Sequence, residues 1–394
     1  MQKKIIALAV AGLVSGAAFA QSNVTIYGVA DAGFVNASGD RNGALKKNAN
    51  VSGIESGILA GSRIGFKGEE GLGNGLKAVF TLEYSLGIDS NLGVGATGGV
   101  NGSGLASRQS FVGLNHNKLG QVALGRQYAP GYGASARNDA LVSSALASST
   151  EVLRAISGSK IAASSAARIN NSVTYTSPNW SGFTVNALYG YGETGTSASA
   201  AVQSTGISQG NDGVFGVGLN YANGPMNIDV LYQSTQGRST AGPVAAIAAS
   251  TGVRAVGASA STQDSVNEWM LAGTYDFKIV KLYATYQDLN DNNGTSAQDA
   301  SNKIWSLGAT MPVFTNGTVR FSYSDLEWDR NGAGGSDSWA LGYTHALSKR
   351  TTLYTTYTYT DNDRNALVAA GSANAVRSIG ESNSAFTAGI NHTF

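Results

Sequence analysis

The chain has 394 residues, 26 Lys plus Arg against 25 Asp plus Glu, and no cysteine. Nothing in that balance points to a nucleic-acid partner, and the absence of thiols excludes disulfides and thiolate metal sites, so backbone pairing and packing must hold the fold. The 52 glycines follow no three-residue period and 17 Tyr, 12 Phe and 5 Trp accompany them, which excludes collagen and outright disorder.

At the start, Lys3 and Lys4 precede an apolar run from Ile5 to Val14, and Ala18-Phe19-Ala20 has the small-x-small pattern of a signal-peptidase site. The run is shorter than the ~20 residues of a transmembrane helix, so residues 1–20 are expected to be an export signal, cleaved ahead of Gln21. Without Lys3 and Lys4 the 26 basic residues become 24 against 25 acidic ones. No linker, composition break or charge block divides residues 21–394, which read as one domain.

From Val24 to Phe34 the residues alternate, with Val24, Ile26, Gly28, Ala30, Ala32 and Phe34 on one side and Thr25, Tyr27 and Asp31 on the other. Arg63, Gly65, Lys67 and Glu69 then oppose Ile64 and Phe66. After a turn at Glu70 to Gly75, Leu76, Ala78, Phe80, Leu82 and Tyr84 oppose Lys77, Thr81 and Glu83. Further short turns fall at residues 115–120, 178–182, 222–225, 276–281, 314–317 and 346–351, seven in all. Eight longer polar stretches lie between them, at residues 36–60, 87–107, 128–167, 192–212, 234–265, 290–301, 329–337 and 361–383. Fifteen connections join sixteen strands, and an even count with short turns at one end and long loops at the other is the layout of an antiparallel outer-membrane barrel. The segments are about 9 to 11 residues long, the length a tilted membrane strand needs, whereas soluble strands average ~5 to 6. Aromatics recur at segment ends, at Tyr84, Tyr128, Tyr175, Trp180, Tyr191, Tyr221, Phe277, Phe314, Trp328 and Phe394, as in interfacial girdles.

One stretch departs from the pattern. Tyr128 to Arg168 is long and non-alternating, opens on Tyr128-Ala-Pro-Gly-Tyr-Gly133, which breaks the preceding strand, and contains Ser148-Ser-Thr-Glu151 with capping-box spacing. Val152, Leu153, Ala155 and Ile156 follow, with Gly158 as a stop, so a short helix is expected there. Connections longer than ~15 residues are commonly functional, and this one is read so.

The last segment, Phe386-Thr-Ala-Gly-Ile-Asn-His-Thr-Phe394, places Phe386, Ala388, Ile390, His392 and Phe394 at every second position up to a terminal phenylalanine. With Val24-Thr-Ile-Tyr-Gly-Val-Ala-Asp31, Ser62-Arg-Ile-Gly-Phe-Lys-Gly-Glu-Glu70, Arg108-Gln-Ser-Phe-Val-Gly-Leu114 and Leu124-Gly-Arg-Gln127, it resembles the general trimeric porins of the Gram-negative outer membrane. The resemblance implies an all-β, 16-stranded barrel whose third loop folds inward and narrows the pore. It also implies a homotrimer, contact with outer-membrane lipid and lipopolysaccharide, and insertion by the barrel-assembly machinery, for which Phe386, Ile390, His392 and Phe394 resemble the recognition signal. By the same resemblance Arg63, Arg126 and Arg168, with Arg108 as a fourth, correspond to the basic wall of the constriction, and Asp139 and Glu151 to its acidic loop side.

Parity agrees for Arg63, which opposes Ile64 and Phe66, and an arginine at mid-membrane on the lipid face would cost ~2–4 kcal/mol. Arg126 shares a side with Val122 and Leu124, so a bulge at Gly125 or a departure from the wall is expected. Asp31 and Lys77 are expected to face the lumen as secondary groups. Asp139 and Glu151 are the only carboxylates between Tyr128 and Arg168, against Arg137, Arg154 and Lys160, so the constriction is expected to be net positive and to favour anions.

Gly71-Leu-Gly-Asn-Gly75 is read as a turn because a strand follows it, and Gly206-Ile-Ser208-Gln-Gly210 lacks the strand-turn-helix context of a nucleophile elbow. His116, His345 and His392 have no second ligand at metal spacing. The expectation is a passive channel for inorganic ions and small hydrophilic solutes, with no cofactor, metal or catalysed reaction. A pore selective for small carboxylates or phosphate is the alternative, and an adhesin or structural barrel the alternative of another class.

Overall fold

The computed structural model describes residues 23–39, 49–89, 107–142, 144, 147–193, 207–208, 213–236, 265–291, 300–330, 332–363, 366 and 380–394. The expected export signal at residues 1–20 lies outside them. Strands β1 (Asn23–Gly39), β2 (Arg63–Gly73), β3 (Leu76–Ser85), β4 (Ser107–His116) and β5 (Gly120–Tyr128) precede the long third loop. After it come β6 (Arg168–Thr176), β7 (Phe183–Gly190), β8 (Val214–Asn223), β9 (Met226–Thr235), β10 (Val266–Asp276) and β11 (Lys281–Asp291). The chain closes with β12 (Asn302–Val313), β13 (Gly317–Trp328), β14 (Gly335–Ala346), β15 (Thr351–Asn362) and β16 (Asn383–Thr393). Each strand pairs antiparallel with the next, and β16 returns to β1 with Ala30 opposite His392 and Phe34 opposite Ala388. The sixteen expected strands therefore form a closed barrel, and the same sheet takes a seventeenth strand, Ala49–Ser56, which pairs with the upper half of β1.

Residue polarity along these strands is inverted relative to a soluble sandwich. Val24, Ile26, Val112, Leu114 and Leu307 point outward and are half or more exposed, whereas Ser322, Ser324, Ser338 and Thr360 point inward and are buried. Outward aromatics pair across strands, Trp305 with Tyr323 and Trp339 with Tyr357, and the turn residue Phe314 is 91% exposed. Apolar groups so placed match a hydrocarbon surrounding. Two aromatics expected in the outer girdles turn inward instead: Tyr128 stacks on Tyr132, and Trp328 packs beside Ile156 over Val152 and Leu326. Both belong to strand ends that meet the third loop, whose packing overrides the alternation.

Closure depends on two local devices. Gly28 exchanges both backbone hydrogen bonds with Phe394 (3.0 and 3.1 Å), and any Cβ at residue 28 would overlap the Phe394 ring and the Arg63 carbonyl. Asp31 points inward as expected, but it is fully buried beneath the first loop rather than open to the lumen. Its carboxylate accepts from Leu59 N (3.3 Å), Ala60 N (3.2 Å), Tyr354 Oη (2.9 Å) and Asn391 Nδ2 (2.8 Å), and so ties the first loop to β15 and β16. Phe386, Ile390 and Phe394 face outward, and His392 Nδ1 bonds Thr351 Oγ1 at 2.9 Å.

The described residues of the third loop include two α-helices. The expected one, α2 (Ser149–Ser157), begins with Ser148 accepting from Glu151 N at 3.2 Å and ends at Gly158 with φ 80°. The other, α1 (Pro130–Arg137), starts on the Pro-Gly pair that had suggested only a break, because proline is also favoured in a first helical turn. Both pack on inward-facing side chains of the far wall. Val152 and Leu153 meet Ile304 and Leu326, and Ile161 and Ala134 meet Leu231, Met270 and Ala272. Buried polar bonds add to this: Ser149 Oγ with Ser322 Oγ (2.6 Å), Thr358 Oγ1 to Ala147 O (2.9 Å), and Glu268 accepting from Ser159 Oγ, Lys160 N and Ile161 N at 2.6–3.1 Å. The loop therefore lies inside the barrel.

Replacing Asp31 with alanine leaves four donors without their acceptor and should lower unfolding stability in lipid vesicles by ~2–4 kcal/mol, measured by urea titration. Gly28→Val should displace Phe394 and reduce the temperature at which the folded band disappears in heat-modifiability gels, while Ala30→Val on the same outer side should not.

Candidate functional site

Glu83 is the centre of an ionic cluster on the inner wall that β2, β3 and β4 form. It points inward from β3, in step with Thr81, and is buried. Arg108 Nε lies 2.6 Å from Glu83 Oε1, Arg63 Nε lies 3.7 Å from Oε2, and Tyr27 donates its hydroxyl to Oε2 at 3.1 Å. One carboxylate therefore fixes two guanidiniums from two different strands.

Arg63 reaches this position by plain alternation. Arg108 does not, because Val112 and Leu114 face outward and strict parity would place Arg108 with them. A register shift corrects it: Leu82 pairs with Ser110 and Tyr84 with Ser107, so Arg108 and Gln109 together oppose Glu83. A bulge of this kind re-aims a side chain at a rim. Here it turns Arg108 inward, where its Nη2 also donates to Tyr128 Oη at 3.3 Å.

Tyr128 extends the group. Its ring stacks on Tyr132 at 3.6 Å and 10°, and the Arg168 guanidinium lies 5.5 Å from its centroid. Burial, with Tyr128 adjacent, holds the Tyr132 phenol up at about 12, so it is uncharged at neutral pH. Among the described residues, three guanidiniums, Arg63, Arg108 and Arg168, thus stand against one carboxylate, leaving two positive charges.

Arg126 is set apart. The register shift is at the expected place, between Gly125 and Gln127, but the extra residue belongs to β6, where Asn170 and Asn171 stand opposite Arg126. Asn171 takes φ 46° to allow it. Alternation along β5 is kept as far as Gln127: Ala123 and Gln127 are buried inside, and Arg126 stays on the outer side with Val122 and Leu124. There it donates to Ser107 O (3.0 Å), Arg168 O (3.3 Å) and the Asn170 side chain.

The loop carboxylates do not face these arginines. Glu151 is buried and pairs within its own helix with Arg154 (2.8 Å), while also accepting from Ala163 N at 3.1 Å. Asp139 accepts from Leu141 N (2.8 Å) and from the Ser148 hydroxyl. Arg137 is taken by the wall residue Asp229 at 2.6 Å. Lys77 is inward by parity near the short-turn end and pairs with Glu69 at 2.7 Å, both well exposed. The three acids that fix the arrangement, Glu83, Asp229 and Glu268, all come from strands. Their signal in the sequence was a lone carboxylate at an inward position of an alternating segment.

Residues 7–365 match the family model described as Gram-negative porin. The Outer membrane porin protein 32 of Delftia acidovorans is 31% identical over 412 residues, covering 100% of both chains, and an outer membrane porin protein of Bordetella pertussis is 27% identical, covering 92% of this chain and 95% of its own. Among solved structures, the anion-selective porin from Comamonas acidovorans superposes with a TM-score of 0.72 at 25% identity, covering 95% of this chain and 100% of its own. The barrel, its inverted polarity and these likenesses together place the chain in the Gram-negative porin family, as an outer-membrane diffusion channel.

Proposed function

We propose that this channel favours anions and that its constriction lies between the third loop and the Arg63, Arg108 and Arg168 wall. The observation that carries the reading is the charge distribution around Glu83. Two of the arginines share one acid and the third lies on the Tyr128 ring, while Asp139 and Glu151, which would otherwise offset them, are held within the loop. Two unit charges ~4 Å apart interact by ~1 kcal/mol in water and several times more near a protein surface, so a surplus of two positive charges beside a narrow aqueous path biases which ion enters. The similarity to an anion-selective porin supports the same reading. Homotrimeric assembly fits it too, since a trimer form is described for a fold neighbour from Vibrio cholerae. Residues 1–20 as export signal, and the outward Phe386, Ile390, His392 and Phe394 as the mark read during membrane insertion, complete the proposal.

In planar bilayers across a potassium chloride gradient, the reversal potential should show chloride preference, and Arg63→Gln with Arg168→Gln should lower the chloride-to-potassium permeability ratio by ~5-fold, the equivalent of ~1 kcal/mol. Cation preference in the unmodified protein would overturn the reading. Glu268→Ala removes the acceptor that holds residues 159–161 and should raise single-channel conductance or its noise; unchanged traces would show that this anchor does not set the bore.

A further inference from the structure

Strands β7 to β16 contain one arginine, Arg320, and it is inward-facing on β13, in step with the buried Ser322 and Ser324. Its Nη1 donates to the loop carbonyl of Ala140 at 2.9 Å and its Nε to Thr344 Oγ1 at 3.3 Å. The register places it in a row with a second cation: Thr310 of β12 pairs with Arg320 on one side and with Lys281 of β11 on the other. Two strand spacings separate the two cations, roughly 10 Å. Lys281 is also inward, in step with Tyr283 and the buried Thr285, and its Nζ lies 4.9 Å from the Tyr283 ring centroid. Among the described residues no carboxylate oxygen comes within 4.0 Å of either side-chain charge. Asp139, on the loop beside Arg320, accepts from Leu141 N and Ser148, and Asp276, opposite Lys281 in register, accepts from Lys278 N at 2.7 Å.

This row and the Glu83 cluster stand at different heights. Arg320 is three residues from Gly317, where β13 leaves its short turn, whereas Glu83 is seven residues from Leu76, where β3 leaves its own. At ~3.4 Å per residue the difference along the strands is ~14 Å. The third loop spans the two, contacting Tyr128 at one edge and Arg320 at the other.

We infer that Arg320 and Lys281 form a second cationic station on the far wall, nearer the short-turn end, which takes over small anions after they pass the Glu83 cluster. The inference rests on the anion-favouring reading above. Its chemistry suits a small inorganic anion or carboxylate: a guanidinium and an ammonium set at one level with the Thr310 hydroxyl between them. Arg320 also holds the Ala140 carbonyl, so a substitution could act through loop position alone, and the test must separate charge from anchoring.

Reversal potentials and single-channel conductances are measured in potassium chloride for the unmodified protein, Lys281→Gln, Arg320→Gln, Arg320→Lys and the outward control Lys303→Gln. Lys281→Gln and Arg320→Gln should each lower the chloride-to-potassium permeability ratio by about 2-fold, and the two together by more, with Arg320→Lys and Lys303→Gln close to the unmodified ratio. A ratio unmoved by either glutamine variant, in a channel that does prefer chloride, overturns the second station and leaves the anion-favouring reading intact. Equal changes in conductance and ratio for Arg320→Gln and Arg320→Lys also overturn it, by showing that Arg320 acts only as a loop anchor. An unmodified channel without chloride preference removes the reading itself and the station with it.

Discussion

A hydrocarbon surrounding offers no hydrogen bonds, so every spanning backbone N–H and C=O must be satisfied by another strand, and a sheet can meet that demand only by closing on itself. The pairing of β1 with β16 is where this chain meets it. The residues at that seam follow from the need for a tight join: Gly28 gives room for Phe394, and Asp31 gathers donors from the first loop and from β15 and β16. Once the barrel is closed, the apolar side chains must lie outside and the polar ones inside. A polar interior is also what allows a polar loop to be folded into it.

The third loop occupies that interior by matching the far wall residue by residue. Its apolar side chains find the few apolar inward positions, Leu231, Met270, Ile304 and Leu326, and its amides and hydroxyls find Glu268, Ser322 and Ser324. Ordering each residue of the loop opposes this by ~1–2 kcal/mol of backbone entropy, while each fully buried Leu or Ile contributes ~1.5–3 kcal/mol. Several buried apolar anchors and charge-assisted hydrogen bonds are therefore needed to hold it, and its two carboxylates are used for that purpose. The consequence is electrostatic: among the described residues, Glu83 is the one carboxylate paired with the Arg63, Arg108 and Arg168 group.

Barrel class, strand count and the α2 cap were legible in the sequence because they depend on local rules: alternation, turn length and the Ser148 to Glu151 spacing. Arg63 was legible for the same reason. Alternation alone could not place Arg108 and Arg126, because each sits beside a register shift and parity cannot be carried past an extra residue without knowing which strand holds it. The shift beside Arg108 turns it inward, whereas the one beside Arg126 belongs to the neighbouring strand and leaves Arg126 outside. Asp139 and Glu151 were read as facing the wall, but a carboxylate in a folded loop is also the strongest acceptor for that loop's own donors. Helix α1 was hidden because Pro-Gly ends strands and starts helices alike.

The claim on which the rest depends is that the third loop is fixed inside the barrel against β13. The chain has no cysteine, so a pair introduced at Ser149 and Ser322, whose hydroxyl oxygens are 2.6 Å apart, reports that contact without background. In the folded protein in vesicles, mild oxidation should give a disulfide between residues 149 and 322, seen as a reducible gel shift, with ion conductance retained. A folded, conducting barrel in which the two thiols stay free and react with a maleimide from the aqueous side would contradict the account.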